Sequence, residues 1–188
     1  NVVASQIDIH KEFGGVVPEV ASRNHLHVIT EVIDKALTDS DSTWDDIDAI
    51  AVTKGPGLSG SLLIGSLAAR TLARMKNKPL YGVNHVLAHI YANYLNPKKQ
   101  PELPILALIV SGGHSQLVLF GSHTNYQVLG RTRDEAVGEA FDKVAKVIGL
   151  PYPGGPSVAE KALEGDENAY SFPKSRLDNP YDFSFSGL

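Results

Sequence analysis

His85 and His89 stand in the run HVLAH, inside a segment, 84–94, whose apolar residues Val86, Leu87, Ile90, Tyr91 and Tyr94 recur at helical spacing. An i, i+4 pair lies one turn apart on one helix face, so both imidazoles can reach the same ion. The same spacing also serves a surface or helix-capping pair, and two ligands alone do not complete a metal site. A zinc protease needs Glu directly after the first His as general base, and Val86 holds that position. The second chemical feature is SGGHS, Ser111 to Ser115, which follows the apolar stretch Ile105 to Val110. Adjacent glycines are expected to take positive φ there, letting successive backbone N–H groups converge on an anion. An ordinary Gly-Gly hairpin explains the same residues, so both readings stand.

Three further places invite chemistry. Gly55-Pro-Gly-Leu-Ser-Gly60 falls between a strand and a helix, where amides could receive an anion; the favoured reading is packing, with Gly57, Gly60 and Gly65 letting the helix sit close to the sheet. Asp142 lies on a helix whose face otherwise carries Phe141, Ala145 and Ile148. It could accept ribose hydroxyls or simply pair with Lys146 at i+4. Gly154 and Gly155, flanked by prolines, could form a turn or permit backbone approach to a sugar.

The elements that must hold these residues alternate along the chain. A strand is expected over 1–7, a helix over 19–37 opened by Pro18, a strand over 47–53 and a helix over 59–76 with Ser59 as its cap. A short strand, 80–83, leads into the histidine helix. Strands 105–110, 115–120 and 126–131 form an antiparallel meander, followed by a helix over 134–148 and another over 157–163. The fold class is α/β with a mixed sheet.

With 188 residues and 43% hydrophobic content, the chain buries a real core, and a net charge of −4 argues against coating nucleic acid through overall basicity. Any nucleic-acid contact is focal, with Arg23, Arg70, Arg74, Lys98, Lys99, Arg131 and Arg133 as candidates. The absence of cysteine removes disulfides and thiolate chemistry, so metal ligands must be imidazole or carboxylate. No apolar run is long enough for a membrane span and no signal-peptide pattern opens the chain, so a cytoplasmic location without membrane contact is expected. The chain begins inside an apolar run and stops at Phe183-Ser-Phe-Ser-Gly-Leu188, so it is expected to be cut at both ends.

Five motifs in order, HKEFGGVVPEVASRNH (10–25), TKGPGLSGSLLIG (53–65), HVLAHIYA (85–92), IVSGGHSQL (109–117) and RDEAVGEAFDKVAKVIGLPYPGGP (133–156), together resemble the TsaD family. The resemblance implies a transferase that makes threonylcarbamoyladenosine in tRNA, on an actin/hexokinase/Hsp70-like (ASKHA) fold of two lobes. It places residues 1–131 in the first lobe and 132–188 at the start of the second. It also implies one divalent metal ion, iron or zinc, on His85 and His89 plus an aspartate from the second lobe. Threonylcarbamoyl-adenylate is the implied substrate, with ATP or ADP also possible in the cleft. Ile109, Val110, Ser111, Gly112 and Gly113 fall on the family's substrate loop, and Asp142 and Gly155 on nucleotide-holding positions. Implied partners are tRNA, a TsaB-type paralogue, a TsaE-type ATPase and a TsaC-type synthase that supplies the intermediate. Ala159 stands where many bacterial relatives carry Asp, and Ile109 where archaeal and eukaryotic relatives carry a tyrosine ligand; SGGH suits a bacterial member. The family's first strand, its aspartate ligand and a nucleotide-contacting asparagine are missing, so this segment alone is expected to be inactive. No residue stands out as general base. The competing readings are a non-catalytic ASKHA scaffold subunit and an ASKHA sugar kinase.

Overall fold

Hydrophobic periodicity is converted into helices and strands almost everywhere the sequence shows it. The computed structural model describes residues 1–187, so Leu188, the last residue of the expected cut end, lies outside the described residues. Two compact units are formed, the first over 1–88 and the second from residue 89 onward.

The first unit contains helices α1 (Ile7–Lys11), α2 (Pro18–Asp39) and α3 (Ser59–Met75) with strands β1 (Ile50–Gly55) and β2 (Leu80–Asn84). The strands pair in parallel, Ile50 opposite Leu80. Helix α3 packs on β1 and on α2, with Ala21, Ala69 and Ala73 buried. Pro18 occupies the first turn of α2, where its missing N–H costs nothing. Two expectations change here. The first residues form no strand, because an extended segment needs a pairing partner and none is present among the described residues; α1 forms instead, with Gln6 Oε1 and His10 Nε2 3.1 Å apart. Ser59 is already helical, so Leu58 takes the cap position without a side-chain bond. The packing role of Gly60 holds, but toward α2: a Cβ there would lie 2.8 Å from Ser22 Cβ.

Helix α4 (His85–Tyr91) carries both histidines of HVLAH and continues as a 3₁₀ turn, Ala92–Leu95. It starts where it does because Asn84 Oδ1 accepts the N–H groups of Val86 and Leu87 at 3.0 and 3.1 Å, satisfying two of the orphan donors of the first turn.

The second unit is built on the expected meander, β3 (Ile105–Val110), β4 (Ser115–Ser122) and β5 (Asn125–Arg131), in the order β3-β4-β5. Val118 and Phe120 are buried on one face. Helices α5 (Val137–Val147) and α6 (Gly154–Ala162) follow and pack on each other. Gly149, at φ +78°, ends α5 in the left-handed conformation, and the Leu150 N–H returns to the Ala145 carbonyl at 2.8 Å. The expected apolar face of α5 is only partly covered. Ala145 is buried at 1% exposure, whereas Phe141 and Ile148 are exposed.

Two carboxylates tie the last described residues to the end of β5 and the segment between β5 and α5. Asp134 accepts from the Ser184 hydroxyl at 2.6 Å, the Phe185 N–H at 2.9 Å and the Ser186 N–H at 3.3 Å. Asp182 accepts from the Arg131 N–H and pairs with the Arg133 guanidinium. These bonds, led by Ser184 for Asp134 and by Arg131 for Asp182, hold both carboxyls below the usual carboxylate range. A carboxyl with a depressed folded pKa contributes stability above its unfolded pKa, about 4, and loses it as pH falls toward the folded value. Protection of the Phe185 and Ser186 amides, measured against their intrinsic exchange, should therefore be full above about pH 4 and fall below it, and Asp134→Asn should flatten that acid response. An exchange series across pH 2 to 6 checks this.

Candidate functional site

The Ser-Gly-Gly-His turn closes on itself before it meets anything else. The Ser111 N–H donates to the His114 carbonyl at 2.9 Å, and the His114 N–H donates to Ser111 Oγ at 3.1 Å. Gly112 and Gly113 do not have the expected positive φ. The turn closes through the Ser111 side chain, so no left-handed residue is needed. What the glycines provide is space, since a Cβ on either would meet nothing within 4 Å. The backbone of 112–113 is thus uncovered by side chains, the condition for close approach of an anionic group.

Several of the residues singled out from the sequence lie on β3, which leads into the turn, and on the cavity beside that strand. Ile109 is buried at 5% exposure, so it offers only backbone, while Val110 is exposed at the end of β3. A cavity of about 460 Å³ is lined by His89, Ile90 and the length of β3, including Ile109 and Val110. His85 stands one turn earlier on α4.

Asp142, in the middle of α5, does not pair with Lys146. Its Oδ1 accepts the N–H of Gly154 at 2.7 Å, capping α6 from a neighbouring helix, because Pro153 at the cap position makes no side-chain bond. The approach is close: a Cβ on Gly154 would lie 2.5 Å from both Asp142 Cα and the Phe141 carbonyl oxygen. Gly155 follows at once, with nothing within 4 Å of its own Cβ position. Burial raises the Tyr152 pKa beside this contact, and the Asp142 charge adds to it.

Two residues that shape the site were given no role from the sequence, Ser115 and Gly138, and Gly154, read there as a turn or a sugar approach, is instead the close contact with α5. A glycine in the first turn of a strongly amphipathic helix was the readable sign for Gly138, since helix propensity disfavours it. No group of three or more His, Cys, Asp or Glu able to hold a metal occurs among the described residues. Of the basic candidates for nucleic acid, Arg23 is paired with Glu19 and Arg133 with Asp182.

A mixed α/β chain with an open Ser-Gly-Gly turn set against a helix start falls in the ASKHA class. The model for the family described as TsaD, tRNA N6-adenosine threonylcarbamoyltransferase, matches residues 1–188. The chain belongs to the TsaD family, and its fold class is α/β of the ASKHA type. Among its relatives, the tRNA N6-adenosine threonylcarbamoyltransferase of Staphylococcus saprophyticus is 57% identical over 189 residues, covering 100% of this chain and 54% of the relative. The enzymes of Staphylococcus aureus strains JH9 and JH1 are each 58% identical over the same length and share. The chain spans about half the length of these curated relatives. No helix among the described residues is long and apolar enough to cross a membrane.

Proposed function

We propose that the protein carrying these residues transfers the threonylcarbamoyl group of threonylcarbamoyl-adenylate to the exocyclic amine of the adenosine beside the anticodon, in tRNAs reading codons that begin with A. The observation that carries the reading is the uncovered Ser111–Gly113 turn, docked on α5, in a chain matched along residues 1–188 by the TsaD family model. The amine nitrogen attacks the carbamoyl carbon, a new C–N bond forms, the anhydride C–O bond breaks to release AMP, and the proton lost by the amine passes to solvent.

Each residue has a part in that scheme. Backbone amides of Gly112 and Gly113, with the chain of Ile109, Val110 and Ser111 leading in, receive phosphate or carbonyl oxygen and steady developing negative charge. Asp142 holds Gly154 through Oδ1 and offers Oδ2 to a ribose hydroxyl, while Gly155 leaves room for the sugar to approach. His85 and His89 hold one divalent ion, iron or zinc, completed by a carboxylate from the remaining length that relatives possess. When bound, that ion polarises the carbonyl and phosphate oxygens. In this reading the cleft also admits ATP or ADP, the location is cytoplasmic, the first lobe runs to about 131, and a TsaB-type paralogue, a TsaE-type ATPase and a TsaC-type synthase take part.

The test is nucleoside mass spectrometry on unmodified tRNA incubated with the full-length protein, TsaB- and TsaE-type partners and threonylcarbamoyl-adenylate. Threonylcarbamoyladenosine is the expected product. Its absence under conditions where a relative's enzyme forms it would overturn the reading and favour a scaffold subunit.

A further inference from the structure

The geometry points to Ser115 and Gly138 as positioning residues that lock the Ser111–Gly113 turn onto the first turn of α5. This rests on the reading of that turn as part of the substrate site. Ser115 is the last residue of SGGHS and the first of β4, and at 1% exposure it is among the most deeply buried side chains described. A buried hydroxyl needs a partner, and Ser115 finds it across the unit: its Oγ accepts the N–H of Val137, the first residue of α5, at 3.0 Å. Its carbonyl accepts the N–H of Thr132 at 2.9 Å. The neighbouring N–H, that of Gly138, donates to the Ser111 carbonyl at 3.3 Å. Two orphan amides at the start of α5 are therefore satisfied by the two serines that bracket the turn, where a helix would normally use its own cap residue. Ala136, which holds the cap position, has no side chain able to do so.

Steric fit reinforces the hydrogen bonds. A Cβ on Gly138 would lie 2.6 Å from Gly112 Cα, 2.8 Å from the Ser111 oxygen and 3.0 Å from the Gly112 N. All three are backbone atoms of the turn, so no side-chain rotation relieves the contact. Gly138 lets the helix abut the turn, and Ser115 sets the register of the contact. Because Asp142 rides on the same helix and holds Gly154, the two proposed binding elements share one rigid mount.

The experiment uses the full-length protein with its TsaB- and TsaE-type partners, and compares wild type with Ser115→Ala, Ser115→Thr and Gly138→Ala. Three quantities are measured: KM and kcat for threonylcarbamoyl-adenylate, ADP affinity by calorimetry, and Tm. A displaced turn should raise KM about tenfold and lower kcat as well, since the same amides bind the substrate and steady the developing charge. ADP affinity should fall in parallel, and Ser115→Thr, which keeps the hydroxyl and suits a strand, should restore both. Unchanged KM and ADP affinity in Ser115→Ala and Gly138→Ala, with only Tm lowered, would overturn the assignment and leave the transferase reading intact. Weakened ADP binding in both variants, beside a wild type that makes no product, would uphold the assignment and sink the transferase reading alone. Wild type that neither makes product nor binds ADP would overturn both. Should Ser115→Ala prove insoluble, Gly138→Ala decides by the same criteria.

Discussion

Exchanging His85 and His89 for alanine in the full-length protein should strip its bound metal and lower threonylcarbamoyladenosine formation by roughly 100- to 1000-fold, the loss expected when several kcal/mol of charge stabilisation disappear. The reasoning is positional. Both histidines sit on α4, whose start is fixed by Asn84 accepting from Val86 and Leu87, and His89 lines the cavity along β3. Elemental analysis of the purified protein should show about one equivalent of iron or zinc in the wild type and little in the double variant. Full metal content in the variant would remove these residues from the ligand set. Metal loss with unaltered product would separate the ion from the reaction.

The second large effect should come from a single methyl group. Gly154→Ala places a Cβ against Asp142 Cα and the Phe141 carbonyl, both on the helix that α6 packs against. Neither atom can rotate away, so α6 must shift and the Asp142 cap must lengthen or break. We expect a loss of about 2 kcal/mol, the usual scale of overpacking, and a Tm lower by roughly 10 °C for a unit of this size. Gly155→Ala is the internal control, because its Cβ meets open space. There Tm should be unchanged or slightly raised, while nucleotide affinity falls. Thermal unfolding beside ADP calorimetry distinguishes a glycine kept for packing from one kept for access. Equal Tm values for the two variants would show that the close approach is not needed.

What the sequence disclosed and what it concealed follow from the range of each interaction. Helices α2, α3 and α5 and the meander β3-β4-β5 could be read because their signals are local: apolar residues at helical or alternating spacing, with Pro18 at a helix start. The first residues read as a strand on the same local grounds, but strand formation depends on a partner elsewhere, and α1 took over the end of that segment. Asp142 showed its type and its helix but not its bond to Gly154, since a cap borrowed from another helix leaves no mark in spacing. The glycines of the open turn were noticed for conformational freedom, whereas their surroundings make them useful for the side chains they lack. Gly138 and Ser115 passed unnoticed because their importance lies in a contact between residues distant in sequence.

Helix α5 touches the turn at its first residues and Gly154 at Asp142, so its internal count of residues acts as a gauge between the two places that the proposed function sets around one ligand. One residue inserted between Gly138 and Asp142 would carry everything after it about 1.5 Å along the axis and about 100° around it. No side-chain adjustment recovers a rotation of that size. This stretch is therefore fixed in length, however freely its outward-facing residues are exchanged, and chimeras that join related proteins should be cut outside it.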